Sequence, residues 1–137
     1  MSQKETRQLK EICEEVKTYL MGHFGYKRPG VYLGPWGDTI NAKRNEYDLY
    51  LRLDCVEDGL WSPDTLVIAR MYFRERRAGH GTSLLTFLSR LAKKYGYSMI
   101  GIESANDNAA GFAKNFGFEK VPEGRHWRVR VDDLLKG

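Results

Sequence analysis

Arg74-Glu75-Arg76-Arg77-Ala78-Gly79-His80-Gly81-Thr82 sets three arginines beside two closely spaced glycines. The run lies between a segment rich in β-branched and apolar residues and an amphipathic one. At such a junction a helix begins, and its first turn offers unpaired N–H groups and a partial positive charge. Glycines let the backbone approach a phosphate closely, and arginines add charge. The chemistry this predicts is the binding of a phosphate or pyrophosphate. The alternative is a tight turn with solvated arginines. No Gly-Lys-Ser/Thr ending follows, which excludes a Walker loop. Leu84 stands where a dinucleotide fingerprint needs its third glycine.

The elements that must position this loop can be read from periodicity. Residues Lys4–Phe24 carry Leu9, Ile12, Cys13, Val16, Tyr19, Leu20 and His23 at helical spacing, with a capping box at Ser2 and Glu5. Gly25–Asp38 is rich in glycine and proline and reads as a loop with a short strand at Val31–Leu33. Thr39–Ala42 and Tyr47–Asp54 form a hairpin turning at Lys43–Glu46. Thr65–Phe73 is a strand, and Thr82–Tyr95 is a helix with a leucine face. Ser98–Ser104 is a strand and Asp107–Phe116 a short helix stopped by Gly117. Phe118–Val121 and His126–Val131 are a final antiparallel pair. The fold class is mixed α/β (α+β) around one sheet, in a single domain spanning 1–137.

Composition fits this reading. Hydrophobic residues make up 42% of the chain, enough for a core. No apolar run approaches the roughly 18–20 residues of a membrane span, and the N-terminus lacks a signal-peptide core, so a cytoplasmic protein without membrane contact is expected. Cys13 and Cys55 lack ligand spacing, and His23, His80 and His126 are dispersed, so no metal is expected. The net charge of +4 suits an anionic partner of any kind.

Arg76-x-x-Gly79-x-Gly81 resembles the Arg/Gln-x-x-Gly-x-Gly/Ala loop of GNAT acetyltransferases. Downstream, Asn106-x-x-Ala109-x-x-Phe112-Ala113-x-x-x-Gly117-Phe118 resembles the family's Asn-x-x-Ala-x-x-Leu-Tyr-x-x-x-Gly-Phe segment. The resemblance covers roughly Thr65 to Val121 and says little about the first 60 residues. It implies the GNAT fold: a mixed, mostly antiparallel sheet with splayed central strands flanked by helices, here with a shortened N-terminal part. It also implies acetyl-CoA as cosubstrate. Carried over by position, Met71, Tyr72 and Phe73 offer backbone groups to the pantetheine arm. Arg76 opens the loop, and Arg77, Ala78, Gly79, His80, Gly81, Thr82 and Ser83 contact the pyrophosphate. Asn106 and Phe112 lie along the pantetheine and thiol end, Asn106 doubling as a helix cap. For Phe116 and Phe118 core packing is expected.

In this family an amine attacks the thioester directly, and a base must first take a proton from the ammonium. Glu103 is the expected base, since it follows a strand whose Ile100 and Ile102 face the core and so sits on the opposite side; the alternative is a solvated carboxylate or a salt-bridge partner. Asp54 is the second carboxylate at a strand end. The family's frequent acid is a tyrosine at the position of Ala113, a departure that Tyr95 and Tyr97 do not match in register. The acceptor, a small-molecule or protein amine, is expected at Gly22–Trp36 and Pro122–Trp127, which carry aromatics and cations; the alternative is a solvated rim with partly buried aromatics. The shortened start leaves an open acceptor cleft or an edge for a homodimer partner. The expected activity is an acetyl-CoA-dependent N-acetyltransferase. The alternative is a CoA-binding module that does not turn over, and nucleic-acid binding is not expected.

Overall fold

Leu9, Ile12, Cys13, Val16 and Leu20 line the buried side of α1 (Thr6–Phe24). Gly25, at φ 75°, ends the helix in the left-handed conformation, and its N–H donates to the Met21 carbonyl at 2.8 Å. The structure is a computed structural model and describes residues 5–28, 30–56, 59–76 and 78–136. Ser2 of the expected capping box lies outside them, and Glu5 at the N-cap makes no side-chain cap.

Seven strands form one sheet: β1 (Val31–Leu33), β2 (Thr39–Arg44), β3 (Tyr47–Arg52), β4 (Thr65–Phe73), β5 (Met99–Ile102), β6 (Glu119–Lys120) and β7 (Trp127–Arg130). Their spatial order is β1-β2-β3-β4-β5-β7-β6, and every pair is antiparallel except β4 with β5. The β2–β3 hairpin turns on Asn45 and Glu46 alone, because Arg44 already pairs with Tyr47. Alternation is strict in β3: Tyr47, Leu49 and Leu51 are buried while Asp48, Tyr50 and Arg52 are half-buried on the other face.

α2 (His80–Lys94) buries Leu84, Leu85, Leu88, Leu91 and Ala92. It packs beside α1, with Tyr19 stacked on Phe87 at 4.2 Å between ring centroids. The two helices are also joined by Lys94 and Glu15 at 2.9 Å. α3 (Asp107–Asn115) follows β5 and buries Ala113. A further helix, α4 (Val131–Lys136), succeeds β7 without a loop. It went unread in the sequence because six residues carry too little periodicity. Buried Val131 donates its N–H to Ser98, and Asp132 meets Lys93 of α2 at 2.9 Å. The two thiols are free, Cys13 buried and Cys55 half-buried. Among the described residues no helix is long and apolar enough to cross a membrane.

On the sheet face that carries Arg52, the Trp61 ring packs against Gly101 of β5. A Cβ placed on Gly101 would stand 2.6 Å from the indole. Gly101→Ala is therefore expected to lower stability by about 1–3 kcal/mol through overpacking. Gly22→Ala in α1, where nothing lies within 4 Å, should raise it by roughly 0.5–1 kcal/mol. Urea midpoints for the two variants check both signs.

Candidate cofactor cleft

β4 and β5 run together for four registered pairs, from Thr65 with Met99 to Ile68 with Ile102. One more rung follows, the Glu103 N–H donating to the Ile68 carbonyl at 3.0 Å. There the strands part. β4 continues to Phe73 paired with β3, while the chain after Glu103 turns away into α3. Beyond Ile68, no strand among the described residues covers the β5 side of β4.

The gap so formed is a cleft of about 610 Å³. Met71, Tyr72 and Phe73 form one wall, and Asn106, Ala109 and Phe112 of the α3 segment form the other. Arg76, Gly79, His80, Gly81 and Thr82 close the end where α2 begins. Gly79 holds φ 81°, a conformation glycine reaches without strain. No side chain caps α2, so the first-turn amides of His80, Gly81 and Thr82 remain available to an anion. α3 differs, because Asn106 Oδ1 accepts from the Ala109 N–H at 2.9 Å. Gly81 also lets the helices meet closely, since a Cβ there would lie 3.1 Å from the Phe112 ring. Glu75 and Asp107 bring negative charge to the rim, and Arg125 pairs with Asp107 at 2.8 Å.

Most of the expected cofactor residues thus lie around one cavity, although they come from three separate segments. Arg77 lies outside the described residues. Ala78 and Ser83 do not line the cavity, and the Ser83 hydroxyl is 2.6 Å from the Tyr19 hydroxyl of α1. Phe118 is buried and Phe116 packs against the core. Ala113 is fully buried, so that position directs no polar group into the cleft. Tyr97 donates to the Leu53 carbonyl and Tyr95 to Glu15, both directed elsewhere.

Glu103 stands at the head of the gap, on the sheet face opposite Ile102. Its carboxylate accepts from Arg52 Nε at 3.1 Å and from Trp61 Nε1 at 3.3 Å. Its side chain is 19% exposed. Asp54 lines a shallow hollow of about 220 Å³ beside Arg52 and Trp61. Of the expected acceptor residues, Trp127 is buried, Phe24 and Tyr26 pack on the core, and Tyr32 and Trp36 are exposed.

Two histidines that are dispersed in sequence meet in the fold. His23 Nε2 lies 2.9 Å from His80 Nδ1, with Tyr19, Phe24 and Phe73 around them. The only sequence signal was their position at the end of α1 and the start of α2. Among the described residues no group of three or more potential ligands forms a metal site.

Known proteins resemble the chain in fold rather than in sequence. No family model and no curated protein matches it. Solved structures do. A GNAT-family acetyltransferase of Staphylococcus aureus Mu50 is 14% identical, with 96% of this chain and 97% of that one covered and a TM-score of 0.51. A KacTA–DNA complex gives 16% identity over 72% and 70%, with a TM-score of 0.55. An AtaTR complex bound with AcCoA gives 16% over 72% and 69%, with a TM-score of 0.53. The chain has the GNAT fold.

His23 is held below the ordinary imidazole value, first by burial and then by the charge of His80. The folded chain therefore favours its neutral form. The stability this contributes is present above about pH 6.5 and is lost as pH falls through the depressed value. Thermal midpoints between about pH 8 and 5 should fall less steeply in His23→Gln than in the parent chain.

Proposed function

We propose that the chain is an acetyl-CoA-dependent N-acetyltransferase. The observation that carries this is the uncapped start of α2 facing the gap between β4 and β5. A diphosphate fits the amides of His80, Gly81 and Thr82, with Arg76 adding charge. From there an extended pantetheine arm fits along the open edge of β4, where the backbone at Met71–Phe73 can bond it as an added strand would. That path ends at the head of the gap, beside Glu103. The acetyl-CoA-bound neighbour of the same fold supports this choice of cosubstrate.

In this reading Glu103 takes a proton from the acceptor's ammonium, directly or through a water, and the neutral amine so formed attacks the thioester carbonyl. Arg52 and Trp61 hold the carboxylate in place. Backbone N–H groups on the open edge of β4 polarise the thioester carbonyl. With Ala113 buried, the departing thiolate takes its proton from solvent. The acceptor is an amine reaching the Glu103 face of the sheet.

Calorimetry should detect CoA binding, and thioester cleavage with a panel of amines should show turnover. Binding without turnover on any amine would favour a non-catalytic CoA module, the reading that Ala113 supports. Glu103→Gln should slow turnover by roughly 10²-fold or more with acetyl-CoA affinity little changed. An unaltered rate would remove Glu103 from the reaction.

A further inference from the structure

Three successive amides take three different partners where the central strands part. Glu103 donates to the Ile68 carbonyl of β4 at 3.0 Å. Ala105 donates to the Arg125 carbonyl at 2.7 Å. Between them, Ser104 donates to the imidazole Nδ1 of His126 at 2.9 Å. Ser104 is also the one non-glycine with positive φ among the described residues, at 51°. That conformation persists only where its surroundings enforce it. His126 is held in turn by Trp61, whose ring lies edge-on at 5.8 Å and whose Nε1 reaches Glu103.

We propose that His126 is a positioning residue, a side-chain rung that keeps the cleft open. Its imidazole stands where a strand carbonyl would otherwise accept. It ties the end of β5 to the β6–β7 hairpin and so away from β4. The proposal rests on the acetyltransferase reading for its catalytic consequence but not for its structural one. An Nδ1 that accepts from Ser104 must be unprotonated, with the ring hydrogen on Nε2. When the imidazole gains a second proton the rung is lost, and Ser104 is freed to leave its left-handed state. Charged groups on the surrounding elements are Glu103 with Arg52, Asp107 with Arg125, and Lys120 and Glu123 of the hairpin. Both acidic groups facing from β5 and α3 are already paired.

The test is amide hydrogen exchange at Ser104 in the full chain without cofactor, read by NMR. Protection should fall about tenfold once acidification has protonated the imidazole. His126→Ala should lack that protection throughout. His126→Asn, whose Oδ1 can accept in place of Nδ1 and does not titrate, should keep it throughout. In turnover, His126→Ala should weaken CoA affinity about tenfold and lower kcat with it, and His126→Asn should restore both. Ser104 protection indifferent to pH and to His126→Ala would overturn the proposal. So would an Asn variant that titrates like the parent chain. Should calorimetry detect no CoA binding, the cofactor reading fails, while the exchange measurement still decides the role of His126.

Discussion

The hydrogen bond from Glu103 to Ile68 is the last rung between the two parallel strands, and the architecture of the cleft follows from where it falls. Parallel neighbours in a sheet ordinarily stay paired along their shared length. Here β5 ends at Ile102 while β4 runs on to Phe73. The unmatched part of β4 becomes a wall with free backbone groups. α3 starts far enough away to leave a channel rather than a seam. The same β4 stays fixed because β3 follows it to its end, with a register shift between Tyr50 and Leu51 taking up the local irregularity.

The sheet is dressed unequally. α1 and α2 cover the face of Leu51, Ile68 and Ile102, and their apolar stripes supply much of the core. The other face holds Tyr50 between Arg52 and Arg70, each guanidinium 5.4 Å from the ring centroid. Arg70 is fixed further by Asp48 at 3.0 Å and Asn41 at 3.3 Å. Around Tyr50 this face is therefore a layer of paired polar side chains. Glu103 belongs to it, and the strand's alternation separates the carboxylate from the apolar layer one residue away.

Much of the architecture was legible from patterns that act over short distances. The leucine face of α2, the alternation of β3 and the glycine-flanked loop each report a local preference, and the elements appear where those preferences place them. Asn106 was legible as a cap because capping is a three-residue affair. The pairing of Glu103 with Arg52 and Trp61 was not, since the partners lie 51 and 42 residues away and depend on register. The meeting of His23 and His80 was hidden for a similar reason, as it follows from how two helices pack. Ser83 illustrates the converse. It sits within a loop motif that favours a ligand contact, yet helix rotation turns its hydroxyl toward Tyr19.

The sheet ends in two very short borders. β1 has three residues, and β6 has two, Glu119 and Lys120, both exposed and oppositely charged. A neighbouring chain seeking to extend the ladder would find only one or two rungs on either flank, and on one of them charged side chains to displace. Growth of the sheet from copy to copy at these two borders is thereby discouraged.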